Sequence, residues 1–218
     1  MNPRSQQLVL KGPAGSLQTL VDMPILQAGQ APVGIAVIAH PHPLFGGTMD
    51  NKVVQTMARA FVQAGWVAVR FNFRGVGASE GVYDDGRGEL QDLLAVIEHF
   101  SPAATQQGAL ALAGFSFGAF VTSHAAQALF SARTIDRLVL VGTAAGRFEV
   151  AALPKELHAQ TLVLHGEEDD TVPLAAALDW ARPQNLPIVV LPGVGHFFHG
   201  QLPLLRDLVA RHLTWPTA

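Results

Sequence analysis

The sequence of 218 residues contains no cysteine, and only 14% of its residues are charged. The absence of cysteine excludes disulfides, thiolate metal sites and a cysteine nucleophile. The 14 basic residues nearly balance the 17 acidic ones, which argues against nucleic acid as a partner because no basic cluster is present. A hydrophobic content of 49% combined with so little charge excludes intrinsic disorder.

Long apolar runs are absent as well. No uninterrupted run approaches the roughly 18 residues of a membrane-spanning helix, so no membrane span is predicted. Residues 1–11 lack the charged start and the apolar stretch of about 7–15 residues that a signal peptide needs. We therefore expect a cytoplasmic protein. The sequence carries no signal for an oligomeric state.

The order of short apolar runs and helical patterns predicts the fold class. The length suits one domain, residues 1–218. The β-rich runs are 8–11, 16–22, 34–39, 67–71, 109–113, 138–141, 161–165 and 187–191. The stretches with helical periodicity are 51–64, 89–100, 117–130, 174–181 and 202–213. An opening hairpin followed by alternating strands and helices predicts an α/β fold, with a mostly parallel twisted sheet of about eight strands and helices on both faces.

A Gly-x-Ser-x-Gly motif occupies residues 114–118, between the run 109–113 and the helical stretch 117–130. This strand-turn-helix context indicates a nucleophile elbow, in which Ser116 projects at the carboxyl edge of the sheet. Glycines are needed on both sides because neighbouring backbone crowds the turn. The alternative interpretation is a plain glycine-rich turn between a strand and a helix.

A serine nucleophile needs a base and a group that orients the base. An acidic run at 167–170 follows the predicted strand 161–165, where the orienting carboxylate is expected. His196 follows the last predicted strand on a glycine-containing loop and is favoured as the base over His199. The order serine, acid, histidine is the order of the α/β-hydrolase motif set.

Four motifs in one order resemble the α/β-hydrolase superfamily over nearly the whole chain. They are His-Pro-His-Pro-Leu-Phe-Gly-Gly-Thr-Met at 40–49, the segment 71–81, the elbow, and His-Gly-x-x-Asp-x-x-Val-Pro at 165–173. The resemblance is closest to small bacterial serine hydrolases without a lid. It implies an α/β-hydrolase fold without a cap domain, and its register places the catalytic acid on Asp169, with Asp170 as the nearest rival.

The resemblance also implies an oxyanion hole. One donor is the backbone N–H of Phe117, the residue after the nucleophile. The second comes from the loop after the strand 34–39, where Pro41 and Pro43 have no N–H. The family pattern favours His42, and Leu44 is the alternative.

Five histidines suggest a metal site as an alternative, because all of them lie near predicted strand ends: His40, His42, His165, His196 and His199. The sequence lacks the carboxylate and the further histidine that usually accompany a His-x-His metal loop in hydrolases. We therefore expect neither a metal nor another cofactor, and we expect the histidines that end strands, at positions 40 and 165, to be hydrogen-bonded structural residues.

Two further features allow more than one interpretation. The closely spaced glycines within 74–81 do not match Gly-x-Gly-x-x-Gly, so a structural crossover loop is favoured over a nucleotide site. Phe115, Phe117, Phe197 and Phe198 flank the candidate residues, and they either line an acyl pocket or pack the core.

The 19 residues of segment 142–160 are too few for a cap domain, and they include a predicted short helix at about 149–157. An open cleft for small or exposed substrates follows. We predict a serine hydrolase of the carboxylesterase type, which cleaves carboxylic esters or thioesters through an acyl-enzyme on Ser116, with His196 and Asp169. The alternatives are the same residues acting on amides or lactones or in perhydrolysis, and a catalytically silent binding module.

Overall fold

The computed structural model describes residues 5–102 and 108–214. Its eight strands are β1 Ser5–Gly12, β2 Gly15–Asp22, β3 Gly34–Ala39, β4 Val67–Phe71, β5 Ala109–Phe115, β6 Arg137–Val141, β7 Thr161–Gly166 and β8 Val189–Leu191. The five α-helices are α1 Lys52–Gln63, α2 Arg87–Phe100, α3 Phe117–Leu129, α4 Leu174–Ala181 and α5 Leu202–Thr214. Short 3₁₀ turns lie at Pro43–Phe45, Lys155–Gln160 and Arg182–Gln184.

The strands form one sheet in the order β1-β2-β4-β3-β5-β6-β7-β8. The pairs β1–β2 and β2–β4 are antiparallel, and all other pairs are parallel. The central strands β3 and β5 are apolar on both faces, because helices cover the sheet on both sides. The predicted α/β-hydrolase fold with a mostly parallel sheet of about eight strands is confirmed.

Two apolar layers, one on each face of the sheet, hold the fold together. Helices α1 and α5 pack on one face through residues such as Met57, Phe61 and Val209. Helices α2 and α3 pack on the other face through residues such as Leu93 and Val121. In the described part of the chain, no helix is long and apolar enough to cross a membrane.

Most predicted elements agree with the structure to within two residues, but β1 begins at Ser5 rather than at residue 8, and two other differences have a clear cause. The last strand begins at Val189 rather than at residue 187, since Pro187 has no N–H to donate to a neighbouring strand. The short helix predicted at about 149–157 is wrong. Pro154 cannot stand inside a helix, and it instead precedes the 3₁₀ turn Lys155–Gln160. The segment 142–160 adds no cap over the carboxyl edge of the sheet.

Candidate active site

Ser116 lies at the sharp turn between β5 and α3. Its φ is 57° and its ψ is −116°, a strained conformation for a residue with a side chain. The Ser116 N–H donates to the carbonyl of Val141 at 2.8 Å, which ties the turn to β6. A Cβ on Gly114 would lie 2.3 Å from the Gly118 carbonyl oxygen, and one on Gly118 would lie 2.5 Å from the Ala39 oxygen. The motif therefore requires both glycines.

His196 connects Ser116 to Asp169. Its Nε2 lies 3.0 Å from the Ser116 Oγ, and its Nδ1 lies 2.7 Å from the Asp169 Oδ2. All three side chains are buried, and the Phe115 ring packs against the imidazole with centroids 4.9 Å apart. His199 is exposed on the same loop. The structure thus brings together the three residues that the sequence predicts.

The Asp169 carboxylate is held by more than His196. Its Oδ1 accepts the backbone N–H groups of Thr171 at 3.0 Å and Val172 at 2.7 Å. Burial acts to raise the pKa of Asp169, but hydrogen bonds from His196 and Val172 and the neighbouring imidazoles hold that pKa below its usual value. Asp170 is exposed and accepts a hydrogen bond from the neighbouring Thr171 hydroxyl at 3.3 Å. The geometry therefore favours Asp169 over Asp170.

The two histidines that end strands are hydrogen-bonded and buried, as the sequence predicts. Burial lowers the pKa of His40 to about 4. Its Nε2 accepts the N–H of Phe73 at 3.0 Å, and its Nδ1 donates to the Pro41 carbonyl. His165 donates from Nε2 to the carbonyl of Val172 at 2.9 Å, and burial lowers its pKa too.

The loop after β3 lies beside Ser116. His42 precedes the 3₁₀ turn Pro43–Phe45, and its Nδ1 accepts the N–H of Leu44 at 3.2 Å. That bond occupies the N–H of the alternative donor, Leu44. Phe117 is the first residue of α3, where backbone N–H groups have no acceptor within the helix. The His42 and Phe117 rings are in contact, with centroids 4.9 Å apart.

Tyr83 is a part of this site that the sequence analysis missed. Its hydroxyl lies 3.2 Å from the Nε2 of His42. Burial raises the pKa of Tyr83 to about 12, assisted by the negative charges of Asp85 and Glu89. It is the only tyrosine in the chain, but no spacing rule connects position 83 to position 42.

A cleft of about 370 Å³ opens over Ser116. Phe117 and Phe197 line it, whereas Phe115 and Phe198 pack into the core below, so both interpretations of the phenylalanines apply. Over residues 5–102 and 108–214, no group of three or more His, Asp or Glu side chains could hold a metal ion. The arrangement is able to activate a serine hydroxyl for attack on a substrate in the cleft.

Comparison with known proteins relates this site to serine hydrolases. The family model of the X-Pro dipeptidyl-peptidase (S15 family) matches residues 15–134, and the serine hydrolase family model matches residues 89–211. The crystal structure of an α/β serine hydrolase without a lid from Xanthomonas campestris is 37% identical. It aligns with a TM-score of 0.85 over 100% of this chain and 98% of that one.

Two other relatives extend the comparison. An α/β serine hydrolase homologue from Coxiella burnetii is 36% identical and aligns with a TM-score of 0.78, over 98% of this chain and 99% of that one. An uncharacterized protein of Rickettsia prowazekii is 36% identical over 115 residues, which make up 53% of this chain and 47% of that protein. The chain thus matches about half the length of this curated relative.

Proposed function

Because the chain belongs to the serine hydrolases of the α/β-hydrolase superfamily, we propose that it hydrolyses carboxylic esters or thioesters of small molecules through Ser116, His196 and Asp169. One observation carries the proposal. A continuous chain of hydrogen bonds runs from the Ser116 Oγ through both ring nitrogens of His196 to Asp169, at 3.0 and 2.7 Å. Such a chain removes the serine proton as the hydroxyl attacks.

The reaction proceeds through an acyl-enzyme. The Ser116 Oγ attacks the carbonyl carbon while His196 Nε2 takes its proton, and the protonated imidazole returns that proton to the leaving alcohol or thiol. Water then attacks the acyl-enzyme with His196 again as the base. Asp169 keeps a proton on Nδ1 and stabilises the imidazolium, and its lowered pKa leaves it ionised for this task.

The oxyanion is stabilised by two backbone N–H groups. We assign them to Phe117 and His42, since both residues line the cleft beside Ser116 and the N–H of Leu44 is already bonded. Each such donor is typically worth about 2.7–4 kcal/mol of transition-state stabilisation. Prolines on both sides of His42 stiffen its loop and favour a preorganised donor.

The cleft favours small esters over peptides. No cap covers it, and the aromatic side chains that line it offer an apolar surface. Among the described residues that line it, none is an Asp or Glu that would bind the ammonium group of a peptide N-terminus. The lack of such a carboxylate among those residues argues against the activity of a dipeptidyl-peptidase.

The test is hydrolysis of p-nitrophenyl esters from acetate to laurate by wild type and Ser116→Ala. We expect turnover of the short esters, with no jump in rate at the micelle threshold of the long ones. Ser116→Ala should lose at least about 10³-fold in kcat, because the nucleophile is removed. Ser131→Ala, an exposed serine away from the cleft, is the matched control and should retain full activity.

Labelling with a fluorophosphonate separates the remaining outcomes. A labelled wild type and an unlabelled Ser116→Ala would support an activated Ser116 even for an ester outside the series. If the wild type shows neither turnover nor labelling, the proposal is overturned and the catalytically silent binding module remains.

A further inference from the structure

Arg147 lies in the wall of the same cleft as Ser116, on the loop that follows β6. This loop is attached to the nucleophile itself, since the N–H of Ala144 donates to the Ser116 carbonyl at 3.3 Å. The N–H of Phe148 donates in turn to the Ala144 carbonyl at 3.2 Å. The backbone on both sides of Arg147 is therefore fixed relative to the reacting serine.

Arg147 forms no ion pair with any residue that the structure describes. Among residues 5–102 and 108–214, no carboxylate lies within ion-pair distance of its guanidinium. Its contact is instead with the Phe45 ring, whose centroid lies 5.9 Å from the guanidinium carbon. Among the described residues, the others that line the cleft include imidazoles but no lysine, second arginine or carboxylate. A single cation thus stands at an otherwise largely apolar cleft.

The positive charge of Arg147 also affects a neighbouring residue of the site, His42. Burial lowers the pKa of His42, and the charge of Arg147 lowers it further, although Asp85 opposes the change. The field of Arg147 therefore extends to the loop that we assign to the oxyanion hole. A negative group on a substrate bound in the cleft would experience the same field.

We propose that Arg147 selects esters that carry a carboxylate group elsewhere in the molecule, with the hydrocarbon or aryl part between carboxylate and ester packed on Phe45 and Phe148. This inference rests on the proposed esterase function and specifies its substrate class. Arginine suits the role because its planar guanidinium binds a carboxylate through two parallel hydrogen bonds. Phe45 and Phe148, which line the same cleft, supply the apolar contact.

The test compares matched charged and neutral esters. One pair is 4-acetoxybenzoate and 4-acetoxybenzamide, with the charge in the leaving group. The other is the monophenyl ester of terephthalate and phenyl 4-carbamoylbenzoate, with the charge in the acyl group. The para position keeps each carboxylate from attacking its own ester. The variants are Arg147→Met, Arg147→Lys and, as a control with the same loss of charge, Arg211→Met on the exposed side of α5.

We expect wild type to prefer the charged member of at least one pair in kcat/KM. Arg147→Met should lower kcat/KM for that ester by about five- to twentyfold, because a charge-assisted hydrogen bond is lost at a partly exposed site. The neutral ester should change by less than about twofold, and Arg147→Lys should fall between. High salt should weaken the wild-type preference, while Arg211→Met should keep it.

The possible results distinguish a failure of the carboxylate selection from a failure of the proposed esterase function. If the protein hydrolyses all four esters and Arg147→Met leaves the charged-to-neutral ratios of kcat/KM unchanged, the carboxylate selection is overturned and the esterase function stands. Loss of activity on charged and neutral esters alike in Arg147→Met would also overturn it, since Arg147 would then support the site as a whole. No hydrolysis and no fluorophosphonate labelling of wild type would overturn the esterase and this inference with it.

Discussion

The Nε2 atom of His42 lies 3.2 Å from the hydroxyl oxygen of Tyr83. The other ring nitrogen, Nδ1, accepts the N–H of Leu44, so a neutral His42 carries its proton on Nε2 and donates it to Tyr83. The same ring packs against Phe117 with centroids 4.9 Å apart. The two residues whose backbone N–H groups we assign to the oxyanion hole are therefore in contact through their side chains, and Tyr83 restrains one of them.

Tyr83→Phe should lower kcat with little effect on KM. The substitution keeps the ring and removes the hydroxyl that restrains His42. One hydrogen bond is worth about 1 kcal/mol, so we expect a loss of about three- to tenfold. The effect falls on kcat because the oxyanion forms only on the way to the transition state. Steady-state kinetics with p-nitrophenyl acetate measures both constants.

The neighbouring Val82 is exposed and provides the control for this variant. Val82→Ala should leave both constants within about twofold, in the range of ordinary surface substitutions. A Tyr83→Phe enzyme with a raised KM and an unchanged kcat would contradict the positioning role and assign Tyr83 to substrate binding.

Asp169→Asn should reduce kcat by about 10³–10⁴-fold, because asparagine favours the wrong imidazole tautomer and carries no charge to stabilise the imidazolium. Asp170→Asn removes the same charge one residue away on the exposed side of the loop and should stay within about threefold of wild type. The measurement is kcat on a short ester together with urea unfolding to verify the fold. Equal losses in the two variants would refute the assignment of the acid to Asp169.

Much of the fold could be predicted from the sequence because its signals are local. The run at 34–39 is apolar on both faces, and the run at 67–71 is apolar except for Arg70; they form β3 and β4 with the predicted bounds. The helix 174–181 also forms as predicted. The first strand is longer than predicted, since it begins at Ser5. Two other errors occur beside Pro154 and Pro187, where the apolar pattern continues but the backbone cannot make the hydrogen bonds of a helix or strand.

The candidate site likewise contains some residues that the sequence predicts and others that it does not. Ser116 and the histidine loop stand in motifs at strand ends, and strand ends of a parallel sheet meet at one edge. Tyr83 and Arg147 stand in loops whose path depends on tertiary packing, and no motif in the sequence marks them. Proximity such as that of Tyr83 to His42, 41 positions apart, becomes visible only in the folded chain.

Asp92→Asn should destabilise the fold strongly. The fully buried Asp92 carboxylate accepts three hydrogen bonds from Arg74, from Nε at 3.0 Å, Nη2 at 2.8 Å and the backbone N–H at 3.0 Å. This pair anchors the glycine-rich turn that begins at Arg74, in keeping with the predicted structural role. Removing the carboxylate leaves the buried guanidinium without its hydrogen-bonded counterion, and we expect a loss of about 3–5 kcal/mol in the free energy of unfolding.

Urea unfolding at neutral pH measures this loss against Asp179→Asn. Asp179 forms an exposed ion pair with Arg182, so its substitution should cost less than about 1 kcal/mol. Similar unfolding midpoints for the two variants would show that the Arg74–Asp92 pair adds nothing to stability beyond that of a surface pair.

The protein should lose stability as the pH falls from about 6.5 toward 4, because buried histidines are held neutral in the folded state, and His40 and His212 show the largest shifts. Burial lowers the pKa of His40 from 6.5 to about 4, and that of His212 from 6.5 to about 4. Between these values the unfolded chain binds more protons than the folded one, so the free energy of unfolding rises with pH in this window. The stabilisation is complete above pH 6.5 and disappears near pH 4.

Urea unfolding at pH 7, 6 and 5 measures the effect. The fully buried His40 alone should lower the free energy of unfolding by about 2 kcal/mol between pH 7 and 5. His212, which donates to the Gln160 carbonyl, should add a smaller part because it is only half-buried. His212→Gln should therefore flatten the pH dependence, whereas His199→Gln, an exposed histidine, should leave its slope unchanged. A wild-type stability that is constant from pH 7 to 5 would contradict the linkage, because the neutral forms of His40 and His212 would then not be required for folding.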